Sequence, residues 1–375
     1  MANKKLTVGV LLSNSTIVPM AKNFNAGLKK GLKLLSDGDV EVEVIPEFVG
    51  QGSKEQIEAA VNKLVNFDDS DVITGIVSNK VLADLAEKIG NTRRPFIISN
   101  IGEHLPETSR FNDFIFLNSL HTWQQLWSLG NWAVRTFGEK GMYVSGIYDC
   151  GYSFQVMLNA GMLAAASGSV MSFAIAPTSD LKAPADIAGV FQHIENFKPD
   201  FIMATFCGDE ARVFLEMYVQ RGYHKTIPLL GLPFLLESFS TPEAIDIYTT
   251  VNLSRDLQPD EIDQLCQTAA EPFTRFGYET GQLIAEAVKN NDTKSLQKTL
   301  AELAIETDRG RIEVLPQSNS SQSRVFVVKN TYSGDKDLIA RQKITEVETI
   351  DSKHHTVEQI NQQSSSGWVN PYLGI

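Results

Sequence analysis

The chain has 375 residues, of which 43% are hydrophobic, so it can form two or three domains with buried cores and is neither disordered nor fibrous. Lys and Arg number 33 against 45 Asp and Glu, which gives a formal charge of −12. That charge repels nucleic-acid backbones and anionic membrane surfaces. No nucleic-acid partner and no membrane insertion are therefore expected.

The first predicted unit is a strand followed by a helix. Residues 6–12 are almost continuously apolar and open onto an uncharged polar loop at 13–16. A helix is predicted next because apolar residues recur at helical spacing, at Met20, Phe24, Leu28, Leu32 and Leu35. The pattern continues with strands at 40–49, 72–77, 95–99 and 114–118 and with amphipathic helices around Ile57 and Leu82. Such an alternation predicts a parallel sheet covered on both faces.

A second series repeats this plan. A helix with apolar residues between positions 123 and 137 leads into it. Strands are predicted at 142–148, 170–176, 201–206, 227–232 and 247–253, with helices between them. Two successive runs of five strands predict an α/β fold of two doubly wound lobes.

The pattern changes after Pro259. Consecutive helices are predicted there, and a hairpin is predicted from residues 311–315 and 324–329, which flank a polar loop at 317–323. Beyond residue 351 the chain is polar until an apolar end at 368–372. This end is interpreted either as a flexible linker with an apolar anchor or as plain disorder.

Small polar side chains follow three strands of the first series. They are Ser13 and Asn14, Ser78 and Asn79, and Ser99 and Asn100. Ligands bind open α/β sheets outside the carboxyl ends of the strands, and helix amino ends favour anions. The three pairs are therefore predicted to line a ligand cleft and to hold a carboxylate without a buried cation. The alternative for each pair is that it only caps the following helix.

The succession of elements resembles the type I periplasmic binding proteins, in particular the branched-chain amino-acid and amide-binding branch of solute receptors for ABC transporters. The resemblance extends to about Lys329 and is carried by the order and spacing of several segments. They are 8–12 with 24–28, the strand ends at 75–79 and 96–100, the turn at 149–152, and 276–281.

The resemblance implies two lobes that are joined by three crossover strands and close on a ligand like a hinged clamp. Lobe one is then expected to comprise residues 1–119 plus 253–325, and lobe two 120–252 plus 326–350, with a polar tail at 351–375. Tyr152 matches a tyrosine that closes over the ligand in this family. Asn118 and His121 at the first crossover are further candidates, although a lone His is more often structural.

Two strand ends of lobe two occupy positions where the family supplies further ligand contacts. These candidates are Phe206, Cys207, Gly208 and Leu232. Receptors for aliphatic amino acids carry a glutamate near the position of Pro233, which pairs with the ligand's ammonium, and residues 231–234 contain none. Unless Asp209 or Glu210 takes that role, a carboxylate without an amine, an aromatic acid or a neutral solute is favoured over an ordinary amino acid.

Catalytic and metal-binding patterns are missing. The sequence has no G-x-S-x-G elbow, no phosphate-binding loop, no dinucleotide fingerprint and no H-E-x-x-H. Cys150, Cys207 and Cys266 have no paired spacing, which argues against a disulfide framework or a zinc site. We therefore expect no enzymatic activity, no cofactor and no metal.

The sequence thus predicts a solute-binding protein that takes up a small organic ligand, a carboxylate, an amino-acid-like molecule or an aromatic acid, and delivers it to an ABC transporter permease. Two alternatives remain open: a cytoplasmic ligand sensor of the same fold, and a scaffold whose apolar end binds a partner. The resemblance implies a periplasmic location. The amino end does not resemble a signal peptide, which implies a cytoplasmic location if the chain is complete.

Overall fold

A computed structural model describes residues 4–15, 18–35, 40–147, 150–177, 186–232, 235, 241–253, 271–290, 295–315, 324–334 and 337–363. Its first five strands form a parallel sheet in the order β2-β1-β3-β4-β5. We call this sheet and the helices packed on it lobe one. Its strands and helices are, in chain order, β1 (Lys4–Leu12), α1 (Met20–Leu32), β2 (Val40–Phe48), α2 (Lys54–Asn66), β3 (Val72–Ile76), α3 (Asn79–Thr92), β4 (Phe96–Asn100) and β5 (Ile115–Ser119).

The second sheet repeats the order of the first. It runs β14-β13-β10-β9-β8-β6-β7, so β7-β6-β8-β9-β10 reproduces the first sheet strand for strand, and β13 and β14 add an antiparallel hairpin beside β10. We call this sheet and its helices lobe two. Its elements up to β10 are α4 (Thr122–Phe137), β6 (Lys140–Gly146), α5 (Phe154–Ala165), β7 (Val170–Ala176), α6 (Ala188–Phe197), β8 (Phe201–Ala204), α7 (Gly208–Gln220), β9 (Leu229–Gly231) and β10 (Thr241–Leu253).

The remaining described elements follow β10 in the chain. They are α8 (Glu271–Lys289), α9 (Leu296–Glu302), β11 (Ala304–Thr307), β12 (Gly310–Glu313), β13 (Arg324–Gly334), β14 (Asp337–Val347) and α10 (His355–Gln363). Helix α8 packs on α1 of lobe one, whereas β13 and β14 extend the sheet of lobe two.

Both faces of each sheet are covered. Val8 and Val10 of β1 share a buried cluster with residues of α1 and α8, whereas Leu11 faces the opposite side, toward α2 and α3. This is the alternation that a strand covered on both faces requires. The predicted α/β fold of two wound lobes is confirmed, and the predicted helical stripe from Met20 to Leu35 is buried along its length.

The predicted hairpin of residues 311–315 with 324–329 is wrong. Strand β12 pairs with β11, which precedes it, and β13 pairs with β10 and β14. The predicted polar tail is also corrected in part, because α10 forms there and buries Val357 completely. The predicted apolar anchor at 368–372 lies outside the described residues.

Candidate functional site

The carboxyl ends of the lobe-one strands carry a connected set of buried amides. Asn100, the last residue of β4, donates from Nδ2 to the Val77 carbonyl (3.1 Å) and to Asn79 Oδ1 (2.8 Å). Its Oδ1 accepts hydrogen bonds from Ser119 Oγ (2.7 Å) and from the backbone N–H of Gly102 (3.1 Å). Asn79 and Asn100, both predicted ligand contacts, therefore position the loop that follows β4.

The three serines at the strand ends are buried, and their hydroxyls have partners inside lobe one. Ser13 donates to the Ile76 carbonyl at 2.8 Å. Ser78 Oγ accepts a hydrogen bond from the Val81 N–H at 3.3 Å. Ser78 therefore caps α3, as the alternative interpretation of this pair expects. Ser99 lies 3.4 Å from the hydroxyl of Thr280. Asn14 has an exposed side chain, and its backbone N–H donates to the Gly50 carbonyl.

Asn118 belongs to a buried ionic cluster. Its Nδ2 donates to Glu279 Oε2 at 2.9 Å, and its Oδ1 accepts from Arg309 Nη2 at 2.6 Å. Arg309 also donates to both carboxylate oxygens of Glu279, at 3.0 and 2.6 Å. The amide of Asn118 thus links the end of β5 to α8 and to the loop between β11 and β12.

The two lobes meet at the loop after β4. The Ser153 N–H of lobe two donates to the Glu103 carbonyl at 2.9 Å, and the Leu105 N–H of lobe one donates to Ser153 Oγ at 3.3 Å. Next to this contact, the ring of Tyr152 meets the ring of His104 edge-on, with centroids 5.5 Å apart. Tyr152, the predicted lid residue, is 4% exposed and lies where the lobes touch.

The same loop contains polar groups that sequence reasoning missed. Glu103 is completely buried, and no side chain of the described residues donates a hydrogen bond to either of its carboxylate oxygens. The backbone N–H groups of Gly102 and Glu103 lie near the carboxyl and partly offset the effect of burial on its pKa. Nε2 of His104 and Nε1 of Trp123, in the first turn of α4, have no hydrogen-bond partner among the described residues. Burial raises the pKa of the Glu103 carboxyl to about 8, and burial with a smaller effect of Lys80 lowers the pKa of His104 to about 4.

His121 lies beside these groups. It precedes α4 with a positive φ of 50° and is 2% exposed, and its ring is edge-on to Trp123 with centroids 6.1 Å apart. The sequence prediction for this strand end includes Ser99 and Asn100 and no later residue of the loop. Extending it along the loop after β4 would have included Glu103 and His104.

The candidates on the later strands of lobe two occupy different surroundings. Phe206 is fully buried and packs on Phe214 in the core. Cys207 and Leu232 are 7% and 6% exposed, and Gly208 begins α7. These positions follow β8 and β9 as predicted.

The two acids proposed as substitutes for the missing glutamate differ in orientation. The side chain of Asp209 is 75% exposed, and its Oδ1 lies 3.5 Å from Nε of Arg212. Asp209 therefore points to solvent. Glu210 lies against the end of β6, where its Oε2 is 2.0 Å from the position that a Cβ on Gly146 would occupy.

Neither a metal-binding cluster nor a membrane-spanning helix is found among the described residues. Within the described ranges, no group of three or more His, Cys, Asp or Glu side chains is arranged to hold a metal ion. None of the described helices combines the length and apolar character needed to span a bilayer.

Comparison with solved structures identifies the same architecture in transport proteins. An ABC transporter substrate-binding protein from Sphaerobacter thermophilus superposes with a TM-score of 0.68 at 18% identity, over 93% of this chain and 98% of that one. A solute-binding protein from Rhodopseudomonas palustris BisB5, in complex with dihydroxybenzoic acid, gives 0.65 at 18% identity over 92% and 97%. The branched-chain amino-acid binding protein LivJ from Streptococcus pneumoniae, in complex with isoleucine, gives 0.65 at 12% identity over 91% and 99%.

At these identities the superpositions show the fold alone. No curated protein matches the sequence. The family model for periplasmic binding proteins, however, matches residues 5–335, which is most of the chain. The chain belongs to the periplasmic binding protein family, whose members are non-enzymatic solute-binding proteins of ABC transporters.

Proposed function

We propose that this protein closes its two lobes around a small organic acid in the periplasm and delivers it to an ABC transporter. The observation that carries the proposal is the contact between the loop after β4 and Ser153, beside Tyr152, at the carboxyl edge of the lobe-one sheet. A ligand that contacts both lobes stabilises the closed state over the open state. Ligand binding and hinge closure are therefore linked.

The compared structures support a carboxylate as part of the ligand. The ligands in the two complexes described above, dihydroxybenzoic acid and isoleucine, both contain a carboxyl group. All three compared proteins are associated with transporters, which favours transport over the regulatory alternative. We further propose the lobe boundaries given above, 1–119 plus 253–325 and 120–252 plus 326–350. Of the predicted contacts, we propose Tyr152 as the main ligand contact from lobe two.

Titration calorimetry with benzoate, dihydroxybenzoate and isoleucine tests the proposal, together with small-angle scattering. A binding ligand is expected to reduce the radius of gyration. Tyr152→Ala is expected to weaken binding about tenfold, or about 1.4 kcal/mol, because it removes an aromatic ring from the contact between lobes. Phe67→Ala is the matched control, since its ring is 84% exposed. Absence of binding across a broad panel of organic acids, or binding without compaction, would contradict the proposal.

A further inference from the structure

Unpartnered polar groups are concentrated in two short segments that are hydrogen-bonded to each other. The N–H groups of Thr122 and Trp123 donate to the carbonyls of Ile101 and Gly102, each at 3.0 Å. These bonds hold the first turn of α4 against the loop that carries Glu103 and His104. The carboxyl of Glu103, Nε2 of His104 and Nε1 of Trp123 therefore belong to one buried region where the lobes meet.

Buried polar atoms are almost always hydrogen-bonded, because an unpaired one keeps the full cost of leaving water. Here, four such atoms lack a side-chain partner within the part of the chain that the structure describes: two carboxylate oxygens, one imidazole nitrogen and one indole N–H. Only the backbone N–H groups of Gly102 and Glu103 act on the carboxylate, and their effect is smaller than that of burial. All three side chains are at least nine-tenths buried. A molecule that enters between the lobes can supply the missing partners.

The chemistry of these atoms specifies that molecule. A carboxylate only accepts hydrogen bonds once it is ionised, so the ionised form of Glu103 requires donors from the ligand. No Lys or Arg of the described chain forms an ion pair with it. The aromatic side chains of Tyr152 and Trp123 adjoin the loop, since Tyr152 meets the His104 ring and the Trp123 N–H donates to the Gly102 carbonyl. A positively charged nitrogen of the ligand satisfies the carboxylate, and an acceptor such as the ligand's own carboxylate satisfies the indole N–H.

We propose that Glu103 is a ligand-binding residue whose carboxylate pairs with a cationic nitrogen of the ligand, a protonated amine or an amidinium. This inference rests on the proposed function and narrows its substrate class to acids that also carry such a nitrogen. Lobe one then supplies the negative charge that the sequence does not provide at 231–234 in lobe two.

Binding of a cation to Glu103 releases a proton. Without ligand, burial holds the pKa of this carboxyl near 8, so the group is protonated at neutral pH, and a cation favours its ionised form. Affinity should therefore rise with pH, by up to about tenfold per unit, and level off above about pH 8. The other titratable groups at this place are His104, His121, Tyr152 and, acting on His104, Lys80. His104, with a pKa of about 4, stays neutral throughout this range.

Calorimetry with matched probes tests the inference: isoleucine against its deaminated acid, and 4-(aminomethyl)benzoate against 4-methylbenzoate. Titrations at about pH 6, 7 and 8, in buffers of different ionisation enthalpy, measure the proton release directly on the wild-type protein. We expect the amine-bearing member of a pair to bind at least tenfold more tightly. Glu103→Gln, which keeps the size and removes the charge, should abolish both this preference and the proton release.

Glu87→Gln is the matched control, because Glu87 is an exposed glutamate on α3. Glu103→Asp should retain the preference for the amine in weakened form. If acids without an amine bind wild type and Glu103→Gln equally well, or if binding releases no proton, the inference is wrong while the proposed function stands. If the amine-bearing probes do not bind while another acid of the broad panel does, the inference is likewise wrong; if no acid of that panel binds, the proposed function itself fails.

Discussion

The ion pair of Arg309 with Glu279 is the most enclosed charge pair among the described residues. The two side chains are 11% and 1% exposed, and two hydrogen bonds join the guanidinium to the carboxylate. Arg309 also donates to Asn118 and to the Ser119 carbonyl. A buried pair loses hydration and gains attraction in similar amounts, so its main role is to leave no charge uncompensated. Here it joins the end of β5 to α8.

Arg309→Met alone should reduce the free energy of unfolding by about 3–5 kcal/mol, because Glu279 is left buried without its partner. The double variant Arg309→Met with Glu279→Leu should recover much of that loss. Urea denaturation measures both changes. Lys5→Met serves as control and should leave stability nearly unchanged, since Lys5 and Glu43 form an exposed pair that solvent screens. A loss below about 1 kcal/mol for Arg309→Met would contradict this interpretation.

At the scale of elements, each lobe contains two helices that touch through glycines. On α1, a Cβ at Gly27 would lie 2.0 Å from the Thr274 carbonyl oxygen, and on α8 a Cβ at Gly277 would lie 2.0 Å from the Phe24 carbonyl oxygen. In lobe two, Gly130 of α4 and Gly161 of α5 meet the opposing backbone in the same way. Only a residue without a side chain permits such an approach, so these glycines fix the two helix pairs at backbone contact.

Gly27→Ala should therefore lower the free energy of unfolding by about 1–3 kcal/mol, because the added methyl group forces α1 away from α8. Gly189→Ala on α6 is the control, since nothing lies within 4 Å of a Cβ there. It should leave stability unchanged or raise it by up to about 1 kcal/mol through helix propensity. Denaturation curves distinguish the two. Equal effects at both positions would rule out steric contact as the cause.

The type and order of the elements were predictable from the sequence because a sheet that is buried on both faces requires mostly apolar strands. Strand β3 in the middle of the lobe-one sheet is a mostly apolar run that is buried throughout, and α1 shows helical spacing from Met20 to Leu32. Which strands pair with each other was harder to predict from the sequence. The predicted hairpin failed because apolar alternation marks β12 and β13 as strands without naming their neighbours, and β13 pairs with β10, about 80 residues earlier in the chain.

At the scale of the molecule, specific hydrogen bonds join the described parts of the two lobes at the loop after β4. Ser153 of lobe two bonds twice to the loop after β4. From the far end of the chain, Asn361 on α10 donates to the Pro106 carbonyl at 3.4 Å, on the same loop. This loop is thus held from lobe two and from α10 at once.

Ser153→Ala should shift the lobes toward an open arrangement. It removes the hydroxyl that accepts from the Leu105 N–H, and one such bond contributes about 1 kcal/mol, or about fivefold in a two-state equilibrium. A larger radius of gyration without ligand, measured by scattering, is the expected result. Ser172→Ala on β7 is the control, because its partner His193 lies in the same lobe. An unchanged scattering profile for Ser153→Ala would contradict this account.

The site was only partly predictable from the sequence. The rule that ligands bind beyond strand ends led to the edge of lobe one where three asparagine side chains are buried, those of Asn79, Asn100 and Asn118. It could not show that Ser13 and Ser78 direct their hydroxyls into their own lobe, because those partners depend on backbone positions. Nor could it separate Glu103 from an ordinary solvated loop charge. The burial of Glu103 depends on Ser153 and the first turn of α4, and lobe packing brings these to the loop.

The glycine contact between α1 and α8 also bears on how the protein is made. Gly27 and Gly277 are separated by about 250 residues, so the ribosome completes the first sheet long before the helix that covers it. At usual synthesis rates of about 5–20 residues per second, the apolar side of α1 stays uncovered for many seconds. During that interval the apolar side of α1 is accessible to chaperones, and the packing of lobe one is completed only when the late helix emerges.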